Sequence, residues 1–469
     1  MMLPLLLLIV LIPFAFILPI LLLDKRHSYK IAFVASALSF LLVGVVAYSY
    51  YTGTAVASSP TQFYIQQLNL SFSLQTTPYT VLLLIMTSIV FLAASIVGKY
   101  FIGARERTYN IIFLLAQGAS LGVFLASSLV FFYIFWEITE IMMFFIIFMY
   151  GGYNRRYASI KFIIYSIISS LLLLIGIMLL YSAPTIHTFD IASIIKLSST
   201  LSMSTQLLVM MLFLVAFMIK MPVFPFHTWL PDAHTEAPTT GSMILAGVLL
   251  KFGGYGLMLM FLMLPIASSY TLYFFLLFLF STIYSAFVSL RQSNLKRLIA
   301  YTSITDMGIV AIGLSAINAA GYNGGLYMMF NHGIAISLLF LIAGTIDELY
   351  GTLEINKIKG VINNFPGITY LFILGTFIAL GIPLSSGFIA DLILFIGATS
   401  AFGLMGLLAL AGILIIGAAL FWVIERSFMS VSHASEPYNV FDRSVTIAGI
   451  LLIAAAVLFG IMPLLLYTP

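Results

Sequence analysis

Residues 220–229 read KMPVFPFHTW. Lys220 closes an apolar run that begins near residue 204, and Pro222 and Pro225 follow at once. Proline removes a backbone donor and clashes with the preceding turn, so a helix entering this stretch breaks there. The composition says where the break lies. Of 469 residues, 62% are hydrophobic and 7% are charged, whereas an ordinary soluble domain has about 25% charged residues. No soluble core hides that much apolar surface, so the solvent is lipid. KMPVFPFHTW therefore places a charge and two helix breakers at membrane depth.

A membrane-spanning helix needs about 20 mostly apolar residues. Fourteen such stretches are expected, at 3–23, 30–50, 78–98, 110–127, 129–150, 159–182, 204–235, 239–265, 268–290, 293–317, 322–346, 367–399, 402–424 and 445–467. The N-terminal stretch is too long, and lacks the basic start, for a secretory signal; it reads as the first span. Two stretches are too long for one straight helix. The seventh contains Pro222 and Pro225, and the twelfth contains Gly381, Pro383 and Gly387. Each is expected to cross once as a broken helix. The fold class is all-α and polytopic.

Cytoplasmic loops are enriched in Lys and Arg. With fourteen spans, the loops 24–30, 99–109, 151–161, 291–297, 347–359 and 425–443 share one side and hold 16 of the 19 basic residues. The opposite loops hold one, Lys196. Both termini are thus expected on the outer side. The remaining two basic residues, Lys220 and Lys251, lie inside spans.

A charge at the bilayer centre costs roughly 2.5–3.5 kcal/mol on insertion scales, so each one asks for a reason. The set is Glu137 and Glu140 in the fifth span, Lys220 in the seventh, Lys251 in the eighth, Asp306 in the tenth and Asp391 in the twelfth, with His332 in the eleventh. Each break lies beside one of them. Freed backbone groups at membrane depth must meet protein or water, and broken helices in matching positions of two halves point to a transport site. Spans 4–8 and 9–13 form such candidate halves, each with its fourth span broken. A lysine held in such a pocket beside a movable carboxylate can load and release a proton.

The stretch KMPVFPFHTWLPDAHTEAPTTGSMILAGVLLKFGGYG, 220–256, resembles the signature of the antiporter-like membrane subunits of respiratory complex I, closest to the chain M type. FFYIFWEITEIMMFFII, 131–147, resembles that family's fifth helix, and QSNLKRLIAYTSITDMG, 292–308, the start of its tenth. The resemblance implies a fourteen-helix core with two inverted five-helix repeats, divided here as 1–109 (three leading helices), 110–265, 266–424 and 425–469 (loop and last helix). It implies a proton path of Glu137 paired with Lys220, then Lys251, His332 and Asp391. Glu140, Asp306 and His234 are weaker candidates. The family usually has Glu or Lys at the position of Asp391 and often His at that of Asp306, so a shuttle role at 306 is open. The short stretch after the last span matches type M better than the related chain L, which carries a long lateral helix.

The resemblance further implies no cofactor on this chain, with iron–sulfur clusters, flavin and quinone in partner subunits. The partners are other membrane-arm subunits and the lipid of an energy-coupling membrane, most simply a prokaryotic cell membrane. With Cys absent, the chain supplies no thiolate metal site or iron–sulfur ligand. HTWLPDAHTE brings His227, Asp232, His234 and Glu236 close in sequence, but zinc needs three or four converging ligands and Pro231 interrupts them, so no metal is expected. The net charge of +4 is too diffuse for nucleic acid. Two other readings stay open: a subunit of a multisubunit sodium/proton antiporter or membrane-bound hydrogenase, and a structural bundle that conducts nothing.

Overall fold

The computed structural model describes residues 3–53, 63–65, 67, 70–103, 106–430 and 442–463. Arg105, residues 464–467 of the last expected span and much of the 51–77 and 425–443 loops lie outside them. Thirteen helical stretches among the described residues are long and apolar enough to cross a membrane. One of them, Ser386–Phe428, has 43 residues. At 1.5 Å per residue that is about 64 Å, roughly twice the hydrocarbon thickness. The chain folds back inside it at Gly403, whose φ is +61°. Gly406 then packs against the backbone of Ala398, so closely that a Cβ would come within 2.7 Å of that residue's carbonyl carbon. In a straight helix those residues would be about 12 Å apart. Counted as two crossings, the stretch brings the total to the expected fourteen.

Contacts between loops sort the ends of the spans onto two faces. On one face, the Arg107 guanidinium donates to the Leu21 carbonyl and Gly152 N–H donates to Glu236 O at 2.8 Å. Leu295 N–H donates to Leu353 O at 2.9 Å, and Lys359 Nζ to Arg426 O at 2.8 Å. On the other, Gln75 N–H donates to Leu125 O at 2.8 Å and Leu129 N–H to Phe189 O at 2.9 Å, while Ile266 N–H donates to Gln206 Oε1 at 3.2 Å. The first face is the basic one, so the parity of the count holds through the described chain. The second face carries a detail the sequence reading did not include, a short antiparallel ladder of Phe63–Ile65 with Leu70–Phe72.

Both broken helices break as expected. The seventh span is Met203–Lys220 followed by Trp229–Glu236. The Trp229 indole donates to the Ile219 carbonyl at 2.9 Å, and Phe224 N–H donates to Ser281 Oγ at 2.9 Å. Protein groups thus answer the backbone that the prolines release. The twelfth span is Pro366–Ala379 followed by Ser386–Phe402. At its break Asn331 Nδ2 donates to Ile378 O at 3.3 Å and Ser386 Oγ donates to Asn331 Oδ1 at 2.8 Å. Gly381 has φ +68°, and a Cβ there would run into Asp391 Oδ2. Gly381→Ala is expected to destabilise the protein by about 1–2 kcal/mol from the left-handed backbone alone, read as a lower thermal midpoint of the purified complex.

Three spans, Thr239–Met263, Leu295–Ser315 and Ala319–Tyr350, are buried along their whole most apolar windows. The outer spans keep a lipid-facing stripe, for example Ile160, Ile164, Ile167 and Leu171 on Arg155–Ser182. Lys251, Asp306 and His332 sit one on each of the three innermost helices. The bundle therefore carries these polar groups along its axis.

Candidate functional site

The first cluster joins the fifth and seventh spans. Lys220 is the last residue of Met203–Lys220, where the helix ends at the break. Its ammonium is ion-paired with Glu140, both side chains being 1% exposed. The family resemblance pairs Lys220 with Glu137; in the structure the contact belongs to Glu140. Residues three apart differ by about 60° around a helix, and that rotation decides between them. Glu140 turns inward, where Trp136 Nε1 donates to its Oε1 at 2.6 Å and Ser170 Oγ donates to Oε2 at 3.4 Å. Glu137 is half-buried, and its Oε1 has no hydrogen-bond partner among the described residues.

Aromatic faces complete the lysine's surroundings. Lys220 Nζ lies 5.7 Å from the Trp136 ring, 5.2 Å from Phe162 and 5.8 Å from Trp229. Each such contact with a desolvated cation contributes about 0.5–2 kcal/mol. Two of the three tryptophans in the chain are spent on this one ammonium.

The second cluster lies on the inner helices. Five residues, Leu245–Leu249, form a π-helical turn in the eighth span. Such turns release a carbonyl from the regular ladder and recur at functional sites. Lys251, two residues further on, donates to Ala246 O at 2.6 Å. Its Nζ also lies 2.6 Å from His332 Nδ1, while His332 Nε2 is buried without a partner. Asp306 is buried with Oδ1 unpartnered. Its helix packs against both the helix that carries Lys251 and the one that carries Asp391, near enough for both charges to act on it. Asp391 lies against Gly381, and its Oδ1 is unpartnered. Between the two clusters the contacts are aromatic. Phe252, beside Lys251 in the chain, meets Trp136 with ring centroids 5.8 Å apart.

His234 is fully buried with both ring nitrogens unpartnered, stacked on Phe340 at 4.4 Å. The remaining members of HTWLPDAHTE point elsewhere. Asp232 is held by Lys161 at 2.7 Å and Arg297 at 3.0 Å. Glu236 accepts from Asn154 N–H at 2.8 Å, and His227 packs among Phe224, Tyr284 and Tyr301. Among the described residues no group of three or more His, Cys, Asp or Glu side chains is placed to hold a metal ion. One buried cation escaped the sequence reading. Lys296, counted among the loop charges, is 5% exposed. Its burial depends on Asp347, about fifty residues away, so no local signal marks it.

A buried ion pair at one helix break, a buried aspartate at the other, and a lysine–histidine contact on the innermost helices between them give a fourteen-span bundle with an ionisable interior, the mark of a membrane protein that passes ions. The family profile described as "NADH:quinone oxidoreductase/Mrp antiporter, TM" matches residues 126–417, and this chain belongs to that family. It is 34% identical over 454 residues to NADH-quinone oxidoreductase subunit M of Rickettsia prowazekii (strain Madrid E), covering 94% of this chain and 90% of that one. It is 37% identical over 371 residues to F(420)H(2) dehydrogenase subunit M of Methanosarcina mazei, covering 76% and 74%. Its fold superposes with a TM-score of 0.87 on a chain of respiratory complex I from Thermus thermophilus with bound NADH, at 24% identity, covering 98% of this chain and 96% of that one.

Proposed function

We propose that this chain is a proton-translocating membrane subunit of a complex I-like quinone oxidoreductase, packed beside other membrane-arm subunits in a prokaryotic cell membrane. The observation that carries the reading is the Lys251–His332 contact at 2.6 Å on the innermost helices, with Asp306 and Asp391 beyond it and the Glu140–Lys220 pair before it. A proton moving along this line needs groups that exchange it over hydrogen-bond distances or through single waters. The unpartnered atoms of Glu137, His332, Asp306 and Asp391 are where such waters would bind.

Glu137, Lys220, Lys251, His332 and Asp391 are assigned to the proton path, with Glu140, Asp306 and His234 as further members. Electron transfer belongs to partner subunits holding the flavin, iron–sulfur clusters and quinone. Protons enter from the basic face and leave near Asp391, with both termini on the outer side. The matching breaks in spans 7 and 12 support two inverted repeats, 110–265 and 266–424.

The test is Glu137→Gln, read in sealed membrane vesicles as protons moved per electron. The expected result is an assembled complex with normal electron transfer and a reduced ratio. An unchanged ratio would mark a chain that anchors partners and conducts nothing. Pumping that requires sodium would move the chain to the antiporter side of its family.

A further inference from the structure

Lys296 is the buried cation that the path above does not use. It stands in the first turn of Leu295–Ser315, where the helix dipole disfavours a positive charge. A lysine so near the membrane surface ordinarily extends its ammonium to water, yet this one is turned inside. Its Nζ lies 4.0 Å from Asp347 Oδ2 and 3.4 Å from Ala237 O, to which it donates. Asp347 is 43% exposed and so opens to the basic face. Ala237 is three residues from His234, whose two ring nitrogens are buried and unpartnered. Lys296 and Lys251 both lie near enough to His234 for their charges to act on its ring. Those acting on His332 are Lys251 and His234.

The eleventh span sets the scale. His332, Phe340 and Asp347 are eight and seven residues apart, which places all three within about 80° of one another around the helix. They therefore form one stripe, about 22 Å long at 1.5 Å per residue. Phe340 in its middle stacks on His234. Hydroxyls line the adjoining start of the eighth span. Ser242 Oγ donates to His234 O at 3.1 Å, Ser337 Oγ to Met243 O at 3.1 Å and Tyr109 OH to Thr240 Oγ1 at 2.6 Å.

We infer that Asp347, Lys296 and His234 form an entry path that delivers protons from the basic face directly to the Lys251–His332 centre, separate from the Glu140–Lys220 cluster. The inference rests on the proton-pumping reading above. Each step passes one proton, from Asp347 to Lys296, to His234, to His332 and to Lys251, with bridging water where the groups are not in contact. No electrons move and no covalent bond to carbon changes.

The experiment uses the assembled complex in sealed vesicles and compares protons moved per electron in Asp347→Asn, Asp347→Glu, Lys296→Met and Lys251→Met. Asp347→Asn and Lys296→Met are expected to lower the ratio by roughly 10²-fold, the lower end of the range for losing a positioned proton-transfer group. Asp347→Glu, which keeps the acid, is expected to retain most of it; a merely structural tie would not follow the acid in this way. If Lys296→Met fails to assemble, the half-exposed Asp347→Asn decides. A wild-type ratio in Asp347→Asn, with the ratio lost in Lys251→Met, overturns the entry path alone. A wild-type ratio in Lys251→Met as well overturns the pumping reading itself.

Discussion

Glu140→Gln is expected to lower the stability of the assembled protein by about 3–5 kcal/mol, the cost of leaving one member of a buried ion pair unpaired. Among the described residues Lys220 has no other carboxylate in contact, and its aromatic cage offers ring faces that replace only part of the loss. Lys220→Met should behave similarly, because the carboxylate left behind keeps only the Trp136 and Ser170 donors. Removing both charges together should reverse most of the damage. The double variant leaves neither charge of the pair unmatched, so the penalty for a lone buried charge is absent, and the amide carbonyl introduced by Glu140→Gln can still accept from Trp136. The measurement is thermal unfolding of the purified complex for the two single variants and the double variant Glu140→Gln/Lys220→Met. Glu137→Gln in the same series should change stability little, since among the described residues no cation is ion-paired with Glu137. If instead Glu137→Gln matches the destabilisation of Lys220→Met, then Glu137 is the partner and the pairing described above is wrong.

Lys251→Met is expected to separate assembly from transport. Met fills nearly the same volume and carries no charge into the bundle axis, so the three innermost helices keep their packing. What it removes is the ammonium that contacts Ala246 O and His332 Nδ1. The complex should form at normal abundance and reduce quinone, while proton movement falls by roughly 10²-fold, within the range for deleting a positioned acid–base group. Blue-native electrophoresis reports the first quantity, and a pH-sensitive dye inside sealed vesicles the second. Loss of the assembled complex would make Lys251 a structural group.

Much of this architecture is written in local signals. Pro222 and Pro225 announce the break in the seventh span, and Gly381 and Gly387 the one in the twelfth, because backbone chemistry acts over a few residues. The crossing count is legible in hydropathy, and the clustering of Arg and Lys fixes its parity. Choosing between Glu137 and Glu140 is a different problem. Both lie on one side of the fifth helix, and the choice depends on how that helix is rotated against the seventh. Only packing sets that angle. Asp306 shows the same limit. An aspartate where the family often has His reads as a departure from the family pattern, yet its nearness to Lys251 and Asp391 depends on three helices meeting. Lys296 reads as an ordinary loop cation until Asp347 and the Ala237 carbonyl close around it.

The most direct measurement is the number of protons moved per electron by the purified complex in sealed liposomes, comparing the natural chain with Glu140→Gln/Lys220→Met. The double variant removes both charges of the buried pair together, so a change in its ratio reflects the path rather than a damaged fold. Intact electron transfer with a reduced proton-to-electron ratio is the expected result. A natural ratio in the double variant would contradict it, and the Glu140–Lys220 pair would then be a structural contact outside the route that protons take.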